Sequence, residues 1–214
     1  AHNGILYADE LPEFGKATLE VLRQPLEDRK ITISRAKYSI EYPCSFMFVA
    51  SMNPCPCGYY NHPTKECSCQ PFAINRYFSR ISGPLLDRID MHIEVVPVPL
   101  SEINGEQVEE SSAEIRKRVV AAREVQLRRF EGTGVHSNAM MNSAMLRQFC
   151  PLSAEVRSLL EMAMRRLNLS ARAYDRIIKV ARTIADLAGA EKIEASHIAE
   201  AINYRTLDRD SWGR

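Results

Sequence analysis

The sequence predicts a mixed fold, α/β followed by all-α, in which a truncated parallel-sheet domain precedes a small helical domain. Three observations support this prediction. Short, continuous apolar runs typical of buried strands occur only in the first part of the chain. The pair Pro97 and Pro99 then marks a boundary, and the segments beyond it have helical periodicity. We therefore place the domains at residues 1–99 and 100–214.

The first domain is expected to contain three buried strands, at residues 4–8, 46–50 and 91–96. Parallel strands that are covered on both faces read as continuous apolar runs, as these do. A helix is expected at residues 15–24, where apolar residues recur at helical spacing, and Pro25 should end it.

A β-hairpin is predicted over residues 30–42, between the first helix and the second strand. Two alternating runs, Lys30–Ser34 and Lys37–Tyr42, flank a gap of two residues, which is the pattern of a hairpin.

The second domain is predicted to be entirely helical. A long amphipathic segment comes first, a loop with two glycines follows it, and shorter amphipathic segments complete the chain. The predicted helices occupy residues 111–130, 139–148, 153–166, 171–188 and 194–203. Gly189 is expected to end the fourth of them.

Composition excludes several classes of protein. The chain has 214 residues, is 45% hydrophobic and carries a formal net charge of +1, so any attraction to nucleic acid must be local. No apolar run approaches the roughly 18 residues of a membrane span, and nothing resembles a signal peptide. These features favour the cytoplasm, where the six cysteines are better suited to metal binding than to disulfides.

Two adjacent carboxylates, Asp9 and Glu10, follow the first predicted strand. In open α/β sheets the ligand lies outside the carboxyl ends of the strands. Two acids at that edge suit nucleoside triphosphate hydrolysis, because one can hold Mg²⁺ and the other can orient the attacking water. Asn53 follows the second strand and is placed to hold that water or a γ-phosphate oxygen; the alternative is a turn asparagine before Pro54.

The phosphate-binding motif G-x-x-x-x-G-K-[ST] does not occur anywhere in the chain. Gly15 and Lys16 are followed by Ala17, and no glycine lies five residues before Gly15. The chain therefore resembles the second part of an ATPase, and by itself it is expected to be inactive.

Two closely spaced cysteine pairs, Cys55 with Cys57 and Cys67 with Cys69, are separated by nine residues. Four thiolates in this arrangement are candidate ligands of a tetrahedral structural zinc ion. The C-x-C spacing is tighter than the usual C-x₂-C, and His62 between the pairs is an alternative ligand. The competing interpretation is four reduced thiols on a flexible loop.

Four segments then reveal a family resemblance: Asp9–Phe14, Asn53–Gly58, Arg80–Asp90 and Ser170–Asp175. With them the chain resembles, over essentially its whole length, the AAA+ ATPases of the magnesium-chelatase-like family, and most closely the ComM-type (YifB-like) competence proteins. The resemblance implies that the first domain is the distal half of an AAA+ P-loop ATPase domain. The second domain would be its helical lid, the magnesium-chelatase-like C-terminal domain.

The same resemblance implies roles for individual residues. Asp9 and Glu10 become the Walker B acids, and Asn53 becomes the first sensor. Arg172, at the start of a lid helix, becomes the second sensor that contacts the γ-phosphate. For Arg172 the alternative is a surface ion pair.

Arg88, in Leu-Leu-Asp-Arg, becomes the arginine finger that enters the ATP site of the neighbouring subunit. A guanidinium supplied across an interface can accelerate phosphoryl transfer roughly 10³–10⁵-fold. Arg80 competes with Arg88 for this role, and the alternative for Arg88 is an ion pair with nearby aspartates.

The hairpin is the second functional segment that the resemblance implies, since the family carries a pore hairpin ahead of the first-sensor strand. Arg35 and Lys37, with Arg29 and Lys30 nearby, suit contact with a phosphate backbone. The alternative is a solvated hairpin with an ordinary mixture of charges.

The resemblance implies that the longer protein hydrolyses ATP with Mg²⁺ and assembles into a homo-oligomeric ring, expected to be a hexamer. Its load would be branched or single-stranded DNA, in branch migration or unwinding during recombination or natural transformation. The alternatives are a magnesium-chelatase-type ATPase subunit, a protein-remodelling ATPase, and a non-enzymatic assembly or DNA-binding module.

The missing phosphate-loop strand has a structural consequence. In this family that strand lies between the first-sensor strand and the strand near Ile93. Without it, those two strands either meet directly or leave unpaired edges, which invite pairing with another chain. We therefore predict a rearranged sheet or a non-native dimer.

Overall fold

The structure is a computed structural model that describes residues 1–35, 38–98 and 110–205. These residues form two compact units, one from Ala1 to Ile89 and one that begins at Asp90. The domain boundary predicted at residues 99 and 100 lies outside the described residues. The architecture is mixed: the first unit contains α-helices and β-strands, and the second is helical.

The strands of the first unit form two separate two-stranded sheets. They are β1 (Ile5–Ala8), β2 (Lys30–Arg35), β3 (Tyr38–Pro43) and β4 (Met47–Ala50). β1 and β4 pair in parallel, with Ile5 opposite Met47 and Ala8 opposite Ala50. β2 and β3 pair antiparallel and form the hairpin, whose two-residue turn at 36–37 lies outside the described residues.

The parallel pair is less buried than predicted. Ile5 is 66% exposed, Tyr7 is 59% exposed and Met47 is 63% exposed. The prediction of buried strands was wrong because apolar side chains favour burial but do not themselves provide the elements that would bury them. Covering both faces of a sheet requires neighbouring strands and helices, and among the described residues the β1–β4 sheet has two strands.

The predicted strand at residues 91–96 was also wrong, since residues 91–98 belong to neither a helix nor a strand. The backbone N–H of His92 donates to the carbonyl of Tyr204 (2.6 Å) within the second unit. Val95 is 86% exposed. An apolar run becomes a strand only where a partner offers a ladder of hydrogen bonds, and no strand pairs with this run in the described part of the chain.

Short helices complete the first unit. They are a 3₁₀ turn at Leu11–Glu13, α1 (Lys16–Val21), α2 (Arg23–Asp28), α3 (Pro71–Phe78) and α4 (Gly83–Leu86). The helix predicted at residues 15–24 is therefore divided near Leu22, and Pro25 lies inside α2 instead of ending α1. Proline is accepted there because the first N–H groups of a helix have no intrahelical partner. Apolar side chains from the 3₁₀ turn, α1 and α4 pack around Leu19 and Leu85.

The second unit follows the predicted helices closely. Its helices are α5 (Ser112–Arg129), a 3₁₀ turn at Asn138–Met140, α6 (Ser143–Phe149), α7 (Ala154–Arg166), α8 (Ala171–Leu187) and α9 (Ala195–Asn203). The helix predicted at 139–148 is the exception, because the Asn142 side chain caps a new start and separates the 3₁₀ turn from α6. α8 lies at the centre of the apolar core, where Leu160 and Ile177 have no exposed surface.

Serine caps explain why these helices begin where they do. The side chains of Ser111, Ser153 and Ser170 each accept a hydrogen bond from a backbone N–H in the first turn of the following helix. Gly189, at φ +68°, follows the end of α8 in the left-handed conformation that glycine adopts without a steric penalty. None of the helices in the described ranges combines the length and the apolar character required to cross a membrane.

Candidate nucleotide site and cysteine cluster

The carboxyl ends of β1 and β4 bring two polar residues together. Ala8 lies opposite Ala50 in the parallel pair, so the next residues, Asp9 and Ser51, leave the sheet at the same edge. The backbone N–H of Ser51 donates to the carbonyl of Ala8 (3.0 Å). The Ser51 hydroxyl donates a short hydrogen bond to the Asp9 carboxylate. The sheet therefore holds the Asp9 side chain at a defined place.

The Asp9 carboxylate is an exposed anion. The Ser51 hydroxyl, together with the Glu10 backbone and the Tyr7 hydroxyl, holds the pKa of Asp9 below its ordinary value and outweighs the opposing effect of burial. The Tyr7 hydroxyl lies 3.4 Å from the Asp9 carboxylate, and the Glu10 N–H lies 3.1 Å from it. This carboxylate is charged at neutral pH, as a Mg²⁺ ligand must be.

Glu10 has a constrained backbone and an exposed side chain. Its φ and ψ are both 51°, in the left-handed region, where few residues other than glycine are found. It precedes the 3₁₀ turn, and the backbone N–H of Leu11 donates to the carbonyl of Ser51 (2.9 Å). The turn therefore begins directly after Glu10, whose side chain is exposed to solvent.

Asn53 lies two residues beyond Ser51 and is exposed. Its backbone lies near the hydroxyl of Tyr77, which α3 supplies. Burial raises the pKa of Tyr77, and the Asn53 backbone opposes that rise. Tyr77 is only 6% exposed, so this contact joins the segment after β4 to the packed side of α3.

The two candidate finger arginines are both paired within their own chain. Nε of Arg88 lies 3.0 Å from the Glu27 carboxylate, and its Nη1 donates to the Pro84 carbonyl (2.6 Å). The Arg88 side chain is 10% exposed, whereas that of Arg80 is 43% exposed. Arg80 donates to the carbonyl of Pro12 (2.9 Å), in the 3₁₀ turn that follows the two acids.

The remaining predicted residues lie elsewhere. Arg172 is exposed in the first turn of α8 and belongs to the second unit. Arg35 is exposed at the end of β2, and Lys37 lies outside the described residues. At the base of the hairpin, Lys30 forms an ion pair with Glu41 (2.8 Å).

The four cysteines form a compact cluster. Their sulfur atoms all lie within 4.8 Å of one another. The Cys55–Cys57 separation is 3.3 Å, and both of these sulfurs lie 3.6 Å from that of Cys67. Four sulfurs around a zinc ion with bonds of about 2.3 Å would be about 3.8 Å apart, close to these separations. The cluster is thus compatible with a tetrahedral metal ion, and all four thiols are free of disulfides.

The environment of the cluster lowers the pKa of one thiol and raises the pKa of others. The Tyr59 backbone is the main cause that lowers the pKa of Cys57 to about 5, and hydrogen bonds from Cys55 and Ser68 add to its effect. For Cys67, a hydrogen bond from the Cys69 backbone is outweighed by burial and by the neighbouring thiols, which raise its pKa to about 12. A divalent cation would remove this conflict, because thiolates are the metal-binding form.

His62 does not belong to this cluster. Its Nδ1 accepts hydrogen bonds from the backbone N–H groups of Thr64 (3.2 Å) and Lys65 (3.1 Å). Its ring also meets Tyr59 edge to face, with centroids 5.7 Å apart. The alternative in which His62 replaces a cysteine ligand is therefore not supported, since the fourth position is filled by Cys69.

Sequence reasoning missed Ser51 and Tyr77. Ser51 can be found from its place, because it is the first residue after β4 and the counterpart of Asp9 after β1. Tyr77 gives no such signal, because it lies 24 residues after Asn53 in the sequence and only the folded chain brings the two together.

Two family models match the chain. Residues 1–103 match the family model "Magnesium chelatase, subunit ChlI", and residues 109–205 match "Magnesium chelatase, subunit ChlI C-terminal". The chain is 44% identical over 211 residues to YifB of Escherichia coli (strain K12), and 45% identical over 210 residues to the competence protein ComM of Haemophilus influenzae. It is 36% identical over 206 residues to Rv2897c of Mycobacterium tuberculosis.

These alignments include 96–98% of the chain but 40% of each relative, so the chain spans about two fifths of their length. The matches extend through the paired acids, the cysteine loop and the helical unit. The chain belongs to the magnesium-chelatase-like family that includes the ComM and YifB proteins.

Proposed function

We propose that this chain is part of an AAA+ ATPase that couples Mg-ATP hydrolysis to DNA remodelling, with a branch-migration or helicase-like role in recombination or natural transformation. One observation carries the proposal: the carboxylates of Asp9 and Glu10 follow β1 at the sheet edge where β4 leads to Asn53. The family match and the relative named as a competence protein support it. A protein that acts on cellular ATP and DNA in this way works in the cytoplasm.

In this proposal, each residue at this edge of the sheet has a separate role in hydrolysis. Asp9, held by Ser51, would bind Mg²⁺, whose positive charge would stabilise the negative charge on the phosphate oxygens. The Glu10 carboxylate is exposed and would orient the attacking water and accept its proton. Asn53 offers an amide to the same water or to a γ-phosphate oxygen.

The arginines complete the site across subunits in this proposal. Arg88 is the proposed finger, with Arg80 as the competing candidate, and each must leave its present carboxylate partner to reach a neighbouring subunit. The helical unit acts as the lid, and Arg172 is its second sensor. An arginine supplied from a neighbour makes hydrolysis depend on assembly, which fits a ring, expected to be a hexamer.

DNA contact is assigned to the hairpin. Arg35 is exposed at the end of β2, and Tyr38 opposite it is 72% exposed. Lys37 adds a second cation by sequence. Cations contact phosphates of any sequence, and an exposed aromatic ring can stack on an unpaired base, so this segment suits single-stranded or branched DNA.

The proposal includes a structural Zn²⁺ held by Cys55, Cys57, Cys67 and Cys69. The sulfur separations and the position of His62 outside the cluster support four thiolate ligands. A closed set of four protein ligands leaves no open position for substrate, so this ion would be structural and not catalytic.

The first experiment measures ATP hydrolysis by a longer protein that contains this chain and a phosphate-binding loop, with and without forked DNA. We expect stimulation by the fork, and a loss of roughly 10²-fold or more in turnover for Glu10→Gln. Glu131→Gln, which removes an exposed carboxylate in the second unit, is the matched control and should retain turnover. Wild-type turnover in the Glu10→Gln protein would overturn the assignment.

A subunit-mixing experiment tests the finger. Glu10→Gln and Arg88→Ala subunits should each be inactive alone. Mixed rings should recover activity, because some interfaces combine an intact Glu10 with an intact Arg88. The same mixture made with Arg80→Ala tests its competitor. Recovery with Arg80→Ala but not with Arg88→Ala would transfer the role to Arg80.

Charge reversal tests the hairpin. Arg35→Glu with Lys37→Glu should abolish stimulation by DNA and leave basal hydrolysis in place. Arg116→Glu with Lys117→Glu makes the same charge change on the exposed surface of α5 and should preserve stimulation. Equal stimulation in all three proteins would exclude the hairpin as the DNA contact.

The chain of 214 residues is proposed to be inactive by itself, since no stretch of it matches the phosphate-binding motif. Turnover that depends on Glu10 in this chain alone would contradict that proposal.

A second candidate function is an ATPase subunit of the magnesium chelatase type, or a protein-remodelling ATPase. The names of both matching family models favour it. Hydrolysis that depends on Glu10 but is indifferent to every DNA tested would support this function in place of the first.

A further inference from the structure

The cysteine loop connects the candidate sensor residue to α3. Cys55 lies two residues after Asn53, and Cys69 lies two residues before Pro71, where α3 begins. No helix or strand is assigned between Ala50 and Pro71 in this described stretch. The cluster therefore joins the two ends of the loop to each other.

The loop lies outside the buried apolar cluster of the first unit. The buried apolar cluster of the first unit is built from residues of β1, the 3₁₀ turn, α1 and the segment around α4, and the residues from Pro54 to Gln70 contribute none of its members. Within the loop, the Lys65 ammonium lies 4.8 Å from the centre of the Tyr59 ring. Cys55 itself is fully buried.

We infer that a zinc ion bound by the four cysteines is a clamp that positions Asn53, by fastening the chain just after Asn53 to the chain just before α3. Each sulfur binds as a thiolate, and its proton passes to solvent. Zinc has no redox chemistry of its own, so the clamp needs no electron donor or acceptor.

Asn53 is then held from two sides. On one side the loop returns through the metal to α3, and on the other the Tyr77 hydroxyl of α3 lies near the Asn53 backbone. The clamp keeps the start of α3, and with it Tyr77, beside the Asn53 backbone. Loss of zinc should free Asn53 and leave the β1–β4 ladder intact, because that ladder has its own backbone hydrogen bonds.

Metal content is the first test, measured by atomic emission on freshly reduced chain. We expect about one zinc equivalent in the wild type and less than about a tenth in Cys55→Ser/Cys57→Ser. Cys44→Ser is the matched control, because Cys44 is a half-buried cysteine outside the cluster and should keep the full equivalent. Wild-type chain with less than about a tenth of an equivalent would overturn the inference.

The clamp itself is tested without ATP. Lys65 is the only lysine or arginine between Cys55 and Gln70, so trypsin reports the loop at one bond. Zinc removal should raise cleavage after Lys65 roughly tenfold or more, because the loop then opens locally. Hydrogen exchange at the Asn53 amide should accelerate by a similar factor, while the amides of β4 should keep their protection.

Tyr77→Phe separates the two contacts on Asn53. It should retain zinc and resist cleavage at Lys65, yet the Asn53 amide should exchange faster. If zinc is stoichiometric but its removal leaves both cleavage and Asn53 exchange unchanged, the ion is not a clamp and the inference is wrong.

The inference rests on the proposed function only in giving Asn53 a part in hydrolysis. Zinc binding and Asn53 exchange can succeed even if the longer protein proves to have no ATPase activity, which would refute only the proposed function. Conversely, if zinc removal accelerates Asn53 exchange but leaves the turnover of the longer protein unchanged, the clamp stands and the role proposed for Asn53 in hydrolysis is wrong.

Discussion

The Asp186 carboxylate is the centre of a buried polar network in the helical unit. Its side chain has no exposed surface, and those of Arg129 and Arg182 are 14% and 3% exposed. The carboxylate accepts hydrogen bonds from Nη1 of Arg129 (2.8 Å), Nε of Arg182 (3.0 Å) and Nδ2 of Asn138 (2.8 Å). These contacts join α5, the 3₁₀ turn and α8.

Asp186→Ala removes the only carboxylate paired with either guanidinium among the ion pairs of the described residues. Arg182 keeps hydrogen bonds to the carbonyls of Ala190 (2.6 Å) and Glu191 (2.8 Å), but neither arginine keeps a counter-charge. Breaking a buried ion pair from one side costs about 3–5 kcal/mol. For a unit of roughly 100 residues, that lowers the melting temperature by more than about 10 °C.

Urea unfolding of the chain, followed by circular dichroism at 222 nm, measures this loss, because most described helical residues belong to the second unit. Glu110→Ala is the control, since it breaks an exposed ion pair with Arg118 and should cost less than about 1 kcal/mol. If Asp186→Ala is no less stable than Glu110→Ala, the network does not hold the helices together and the reasoning is refuted.

The pH dependence gives a second measurement on the same residue. Burial raises the pKa of Asp186, but hydrogen bonds from Arg129 and Asn138 more than offset that effect and leave the pKa below its ordinary value. A lowered folded pKa contributes stability that is fully present above the unfolded pKa of about 3.9 and is lost as pH falls through the folded pKa. Wild-type chain should therefore lose more stability below about pH 4 than Asp186→Asn, which cannot ionise. Equal losses would contradict this assignment.

Three further predictions concern single contacts. Ser51→Ala removes the hydroxyl that lowers the pKa of Asp9, so an NMR titration should find the Asp9 pKa closer to its ordinary value; an unchanged pKa would show that the hydroxyl has no such effect. Ser153→Ala removes the N-cap of α7, whose oxygen accepts from the Val156 N–H (3.2 Å), and should lower the free energy of unfolding by about 1 kcal/mol in urea. Leu160→Ala leaves a cavity at a fully buried position of the same helix. It should lower the free energy of unfolding by about 2–5 kcal/mol in the same assay, clearly more than loss of the cap.

The helices of the second unit could be predicted from sequence because their signals are local. The periodicity of residues 153–166 and 171–188 agrees with α7 and α8 to within a residue or two at each end. Ser153 and Ser170 are N-caps, and Gly189 follows the end of α8, so each boundary is set by residues within one turn of it.

The parallel pair shows where local signals stop. The runs that became β1 and β4 were recognised as strands, whereas a similar run at residues 91–96 did not become one. What distinguishes them is a partner: β1 and β4 have each other, and residues 91–96 have no described strand beside them. Apolar composition records a preference for burial, while pairing and coverage depend on what the rest of the chain places nearby.

The candidate site divides along the same line. The sequence alone identified the candidate residues, namely the adjacent acids Asp9 and Glu10 and the paired cysteines, because acidity and metal affinity are properties of the side chains themselves. Only the tertiary structure decided that Ser51 holds Asp9, that Tyr77 contacts Asn53, and that four sulfurs lie within 4.8 Å of one another. Those contacts join residues from different elements, and their distances are set by packing and strand register, which no local pattern contains.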